Sequence, residues 1–458
     1  MAAASAPAPR GRGRSASKPK PTASPRKGAA KPDDKPGKSP RPAAGRLPIE
    51  HGVLLTATLC LMACGAIMVY SASSARGVLA GQGDGTGYLI RYAIYGAIGL
   101  VLMRWLSHGG VARVKPITPL LLAGSVAALF IVLVPGFGVS INGARRWIGA
   151  GPVQFQPSEL VKLALVLYAT QVVAARPERL RTLRGLVNPL IVVSGLACAL
   201  VAAQPDLGTA LVIGFTMFAF VVAGGARLSH IAVIAAVVAG LIVVFAIVEP
   251  YRVARLTAFV NPWAHAQGIG FQSVQGQIAV GSGGLFGVGL GESVQKIFYL
   301  PEAHTDFILA VIGEELGVAG IGLLLFLYGL IGYAGLRVAR HARTTYEQLL
   351  AAGITSLILA QATLNVFAVL GIAPVAGVPL PFISYGSSNL LVLLVAMGLL
   401  LDIASRPGRG LRSVSATTDA RRSSAKRRRA ASASRADRGG RDSGTRGSRA
   451  GRGRRPER

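Results

Sequence analysis

From residue 51 onward the chain alternates long apolar runs with polar breaks. Ten runs are long enough to cross a bilayer as helices: 51–72, 88–106, 117–136, 158–175, 187–204, 208–225, 228–248, 307–336, 347–371 and 384–403. The eighth is long enough to tilt or to begin in the interface. The expected fold is an all-α polytopic membrane protein of ten transmembrane helices, occupying residues 47–405. Most breaks between runs are short. The break at 249–306 is not, and a loop of that length in a chain of short loops is expected to carry function.

Composition agrees: 51% of residues are hydrophobic and 15% charged, with a mean hydropathy of +0.50. The net charge of +30 suggests a nucleic-acid binder until it is located. Residues 1–46 carry 12 Lys/Arg against Asp33 and Asp34, and residues 406–458 carry 18 against four acids. Both tails are rich in Ala, Ser, Gly, Pro and Arg with almost no aromatics, so they cannot bury a core and are expected to be disordered. They read as basic tails that orient the protein and touch anionic lipid. No folded reader module accompanies them, so nucleic acid is not expected as a partner. Cys60, Cys64 and Cys198 lie in apolar runs and read as small hydrophobes. The basic start precedes any apolar run by 46 residues, which predicts an uncleaved signal anchor.

Ten spans place both termini on one side. Arg113, Lys115, Arg176, Arg179, Arg181, Arg184, Arg227, Arg337, Arg340 and Arg343 fall in breaks on that same side. The excess of Lys/Arg makes it cytoplasmic. The long loop 249–306, between spans 7 and 8, is then external. One external break, 137–157, departs from the rule: it carries Arg145 and Arg146 beside Trp147. A snorkelling interfacial pair explains that; so does an external site for a phosphate, which is the reading adopted.

Four external features carry candidate chemistry. Gly143-Ala-Arg-Arg-Trp-Ile148 leads into Gln156-Pro-Ser-Glu-Leu-Val-Lys162, where Pro157 suits a helix start. Glu159 and Lys162, three apart, share a helix face, and a lysine inside a membrane needs a counter-charge. Gln204-Pro-Asp-Leu-Gly-Thr209 joins two apolar runs by a tight turn, and Asp206 either serves that turn alone or neutralises Arg145 or Arg146. His304-Thr305-Asp306 opens the eighth span. Thr or Asp there is an ordinary cap, but a carboxylate at the lipid boundary with a histidine two residues before it is also a candidate base. On an ideal helix Glu314 lies ~12 Å deeper and ~80° round from Asp306, and Glu315 ~180° round, so both are expected to pair with other spans. Last, residues 371–388 contain too many prolines and glycines for a regular helix. Such a backbone at membrane depth must line a cavity or be buried in protein, and Ser384, Tyr385, Ser387 and Ser388 offer hydroxyls to a polar head group. The glycines of 268–291 fit neither nucleotide fingerprint and are expected to let short segments pack closely.

Taken together these residues outline an external, membrane-embedded pocket for an amphiphile. The order Arg-Trp-Ile, Gln-Pro-Ser-Glu with Lys three on, Gln-Pro-Asp-Leu-Gly-Thr, Leu-Pro-Glu-Ala-His-Thr-Asp-Phe-Ile, Gly-Glu-Glu-Leu-Gly and Pro-Leu-Pro-Phe-Ile-Ser-Tyr-Gly resembles the SEDS (RodA/FtsW/SpoVE) family of cell-wall polymerases over about residues 50–405, most closely its cell-division branch. The resemblance implies ten spans with cytoplasmic ends in the bacterial inner membrane, and a peptidoglycan glycosyltransferase that polymerises lipid II at the outer face, at the septum. It implies a class B penicillin-binding protein transpeptidase and other divisome proteins as partners. It places Asp306 as base, Arg146 and Lys162 at the pyrophosphate leaving group, and Glu159 as the setter of the Lys162 charge. Arg145, Trp147, Asp206, His304, Ser384 and Tyr385 are the remaining candidate substrate contacts. Some relatives have a glutamate where this chain has Phe298. No residue cluster calls for a metal cage; a magnesium or manganese ion at the lipid pyrophosphate is the one cofactor the chemistry suggests. The competing readings are a lipid II flippase, for which Glu314 and Glu315 are the deep charges, an elongation-type polymerase, a non-catalytic divisome scaffold and a small-solute transporter. The last predicts two broken segments in related halves, and only 371–388 is broken.

Overall fold

The computed structural model describes residues 48–79, 85–141, 144–150, 153–227, 229–233, 235–236, 257–297 and 299–406. The N-terminal tail, the chain beyond 406, Phe298 and most of the predicted span 228–248 lie outside these residues. The elements run α1 (Ile49–Leu79), α2 (Gly87–Leu106), α3 (Gly110–Leu133), β1 (Gly138–Ile141), β2 (Ala144–Ala150), β3 (Val153–Phe155), α4 (Pro157–Ala175), α5 (Val192–Ala203), α6 (Leu207–Ala223), α7 (Phe271–Ser282), α8 (Ile308–His341), α9 (Thr345–Val369) and α10 (Ser387–Ser405). Among the described residues seven helices are long and apolar enough to cross a membrane, and α5 and α6 are shorter apolar helices. Helices thus stand at nine of the ten predicted spans.

α9 and α10 are the most buried of these, and the others wrap them. α10 is apolar all round, as a helix enclosed by others must be. α2 packs closely on it through small residues: a Cβ on Gly99 would lie 2.4 Å from Leu394, and one on Gly398 2.7 Å from the Met103 carbonyl. The polar residue Asp402 of α10 is buried and spent on structure. It accepts from the Gly109 and Val111 N–H groups at the start of α3, 3.0 Å each, and pairs with Arg406 at 2.8 Å. At the same end Glu50 pairs with Arg337 at 2.9 Å.

Two departures from the expected all-α layout matter. The external break 137–157 is a three-stranded antiparallel sheet in the order β1-β2-β3, pairing Val139 with Trp147 and Ile148 with Phe155. Its strands are too short for their alternation to stand out from the apolar runs beside them. The second departure is a break inside α8 at Gly317, whose φ of 66° only glycine adopts readily. The loop after α7 inserts there. Val288 and Gly289 N–H donate to the Glu314 and Glu315 carbonyls at 2.9 and 3.1 Å, and Val318 and Ala319 N–H donate to Gly284 and Leu285 at 2.9 and 3.0 Å. A Cβ on Gly287 would sit 2.0 Å from the Glu315 carbonyl. The glycines of 283–291 therefore repair a broken helix by close backbone approach.

Candidate active site

Four segments converge at the end of the bundle opposite Asp402: the β-sheet, the turn before α6, the turn before α8, and the broken segment before α10. The broken segment comes first, because it settles which side chains are already committed. Each of its carbonyls from 378 to 382 has a donor. Val378 accepts from Asn365 at 2.7 Å, Pro379 from Gln361 at 2.9 Å, Pro381 from the Tyr328 hydroxyl and Phe382 from the Tyr92 hydroxyl at 2.6 Å each. Leu380 accepts from the Ser384 N–H at 3.0 Å. A backbone that cannot form a helix at membrane depth is satisfied by side chains of α2, α8 and α9, as burial in a low-dielectric medium requires.

The same two amides of α9 tie in the predicted acid and base groups. Glu159 and Lys162 are buried in the first turns of α4 and pair, with Lys162 Nζ 2.9 Å from Glu159 Oε1. Nζ also donates to Gln361 Oε1 at 2.9 Å, while Gln361 Nε2 reaches Asn389 Oδ1 at 2.9 Å. One turn along α9, Asn365 Nδ2 donates to the backbone carbonyl of Asp306 at 2.7 Å. Gln361 and Asn365 were not among the residues singled out by the sequence, although two amides four apart in an apolar run share a face and were a usable signal. Their effect is to hold the Glu159–Lys162 pair and Asp306 at a fixed spacing.

Asp306 is half-buried in the turn that precedes α8. The N-cap residue of α8 is Phe307, whose side chain makes no cap hydrogen bond, and Asp306 stands just before it. The Thr305 hydroxyl lies 3.1 Å from Asp306 Oδ1 and 3.0 Å from Glu302 Oε2, and its one proton can serve only one of them at a time. Two carboxylates therefore lie about one hydroxyl. Gly377 of the broken segment passes beside them: a Cβ there would be 3.9 Å from Asp306 Oδ2.

Asp206 is buried and caps α6 through the Thr209 N–H at 3.2 Å. It also accepts from Gln156 Nε2 at 3.1 Å, and it stands 3.9 Å from Arg146. Arg146 bonds chiefly to the carbonyls of the turn, donating to Gln204 at 3.1 Å and to Pro205. Its side chain remains 28% exposed. Arg145 is exposed and Trp147 half-buried on the same strand. His304 and Tyr385 meet Tyr88 of α2 in an aromatic cluster, with ring centroids 4.4 Å (His304–Tyr88) and 5.0 Å (Tyr385–Tyr88) apart. Ser384 is buried, and its hydroxyl accepts from the Leu380 N–H at 2.8 Å. It closes the 380–384 turn.

The deep glutamates are also committed. Glu315 accepts from Ser71 of α1 at 2.7 Å and pairs with Lys296 of the external loop at 2.7 Å, all three buried. Glu314 accepts from Ser293 and from the Val294 N–H at 3.0 Å. Glu315 thus meets another span as expected, but Glu314 holds the loop rather than a helix. Both seat the segment that carries Asp306. Among the described residues no three His, Cys, Asp or Glu side chains converge as a metal cluster.

Residues 52–407 match the family described as cell cycle protein, FtsW/RodA/SpoVE. The probable peptidoglycan glycosyltransferase FtsW of Coxiella burnetii is 42% identical over 77% of this chain and 95% of its own length. The stage V sporulation protein E of Bacillus subtilis is 37% identical over 77% and 96%. Among solved structures, a peptidoglycan synthase complex described as coordinating polymerization and crosslinking aligns with a TM-score of 0.64 at 29% identity, covering 77% of this chain and 96% of that one. The rod shape determining protein RodA of Thermus thermophilus aligns with a TM-score of 0.55 at 28% identity, covering 77% and 95%.

Proposed function

Because the chain belongs to the FtsW/RodA/SpoVE family of cell cycle proteins, we propose that it is a peptidoglycan glycosyltransferase that polymerises lipid II at the outer face of the bacterial inner membrane. Its proposed setting is the division septum, a reading supported by the match to a family of cell cycle proteins. It works there with a class B penicillin-binding protein, a pairing supported by its likeness to a synthase complex that couples polymerization to crosslinking, and with other divisome proteins. The excess of Lys/Arg in the breaks on the side of the tails supports cytoplasmic termini.

The observation that carries the reading is the frame built by α9, where Gln361 grips Lys162 and Asn365 grips Asp306. A hydroxyl of the acceptor sugar attacks the anomeric carbon of the donor, and the bond to the lipid pyrophosphate breaks. Asp306 takes the hydroxyl proton; Glu302 shares the Thr305 hydroxyl with it. Charge grows on the departing pyrophosphate. Arg146, fixed by two turn carbonyls yet part-exposed, is the cation placed to meet an oxyanion. Lys162 is buried and acts through its field, which a low-dielectric surround transmits well; Glu159 is its paired carboxylate. A magnesium or manganese ion would be carried by the pyrophosphate rather than by a protein cage.

The test is glycan polymerisation from purified lipid II by the protein reconstituted with its cognate penicillin-binding protein, wild type against Asp306→Asn. Polymer from wild type alone, with the complex intact, is the expected result. Polymer from both removes Asp306 from the chemistry and leaves Glu159. Polymer from neither, in an assay validated with a known polymerase, favours a flippase or a scaffold.

A further inference from the structure

We propose that the opposite, basic end of the bundle carries a site for an anionic phospholipid, formed by Arg104 and Arg113 about Trp105 in a groove between α2 and α3. This inference does not rest on the polymerase reading. The groove is an open cleft of about 590 Å³ lined by Leu100, Val101, Arg104, Trp105, His108 and Arg113.

Its walls and its rim differ in chemistry, as a lipid does. α2 packs on α10 rather than on α3, and turns its other face outward. Ile94, Ile98, Val101 and Trp105, spaced four, three and four, form one exposed apolar stripe along that face, with Val101 68% and Trp105 55% exposed. An acyl chain has a continuous surface to lie on. The stripe ends at the two guanidiniums. Arg113 stacks over the Trp105 ring, 4.8 Å from its centroid, and donates to the Trp105 carbonyl at 3.1 Å. Arg104 lies against the His108 ring. A tryptophan at the end of an apolar stripe is the usual marker of the bilayer interface.

The charge here is uncompensated. Among the described residues neither Arg104 nor Arg113 forms an ion pair. Of the carboxylates at this end, Asp402 is spent on Arg406 and the start of α3, Glu50 pairs with Arg337, and Glu347 accepts from the Arg343 N–H. A phosphodiester set between the two guanidiniums removes their repulsion, and its diacyl tail covers the stripe. Free phosphate satisfies only the first of these needs. Basic pockets at helix ends recognise lipid head groups in this way.

The test uses the full chain in lipid nanodiscs with Trp147→Phe and Trp263→Phe, so that Trp105 alone reports. Phosphatidylglycerol with brominated acyl chains, diluted into phosphatidylcholine, is compared with brominated phosphatidylcholine. The expected result is half-maximal Trp105 quenching at a mole fraction at least about fivefold lower for phosphatidylglycerol, with about fivefold lost on each of Arg104→Gln and Arg113→Gln. Arg340→Gln, an exposed cation at the same end but off the groove, leaves the preference intact. Inorganic phosphate at 10 mM leaves the quenching unchanged. Equal quenching by the two lipids overturns the proposal, and that comparison stands even if the arginine variants fail to fold. So does a preference that survives the double arginine variant. Loss of quenching on adding phosphate alone shows an anion site indifferent to lipid, and also overturns it.

Discussion

Replacing Lys296 by methionine should loosen the external loop far more than it destabilises the bundle. The Lys296 ammonium donates to Ser71 Oγ at 3.0 Å, to the Gly291 carbonyl at 2.7 Å and to Glu315 Oε1 at 2.7 Å, so all three protons are used. Its side chain is 3% exposed and that of Glu315 0%. Methionine keeps the stem and removes the charge, leaving Glu315 buried without its cation. Breaking a buried pair from one side costs about 3–5 kcal/mol, which at ~1.4 kcal/mol per decade is roughly two to four decades in a local opening equilibrium. The reporters are the Val288 and Gly289 amides, which donate into the break of α8. Hydrogen exchange read by mass spectrometry should show them exchanging faster by that factor, with the α9 and α10 amides unchanged. Glu315→Gln added to Lys296→Met removes the stranded charge, keeps an acceptor for Ser71, and should return exchange to within about tenfold of wild type. Unchanged exchange in the single variant would refute the claim that this pair seats the loop. A double variant as fast as the single one would assign the effect to packing of the lysine stem instead.

Three further outcomes follow from the frame around Asp306. Lys162→Met strands Glu159 in the core and should lower both thermal stability and lipid II polymerisation, the latter by about 10²-fold or more; Glu159→Gln on top should restore the melting temperature but not the polymer. Asn365→Leu deprives the Asp306 and Val378 carbonyls of their donor, at about 1–3 kcal/mol each, and should reduce the polymerisation rate at saturating lipid II more than it raises the half-saturating concentration. Gly208→Ala places a Cβ 1.9 Å from the Ala376 carbonyl and should shift the broken segment and abolish polymerisation. Gly214→Ala two turns on, with nothing within 4 Å, should be neutral in the same assay.

Much of this protein is legible in its sequence for one physical reason. An ionisable group at membrane depth is costly, so the few present stand out. That logic finds Asp306, Glu159, Lys162, Glu314 and Glu315, and apolar run length finds the helices around them. It does not say which polar groups serve a ligand and which serve the fold, because that depends on where backbone groups go unpaired. Ser384 shows the difficulty. In the sequence it is a hydroxyl beside a helix start; in the structure it also accepts from the Leu380 N–H and so serves the turn. Gln361 and Asn365 show the converse, since uncharged amides in an apolar run attract no notice until the carbonyls of Pro379, Val378 and Asp306 are seen to need donors. The break at Gly317 was hidden for a related reason: its repair comes from Gly284–Gly289, a tertiary pairing that no local period encodes. The prolines and glycines of 371–388 thus dictate more than a cavity wall. By refusing a helix they expose carbonyls that α2, α8 and α9 must answer, and the α9 residues that answer them are the ones that space the Glu159–Lys162 pair from Asp306. In this fold the cost of a broken backbone and the geometry of the candidate site have a single solution.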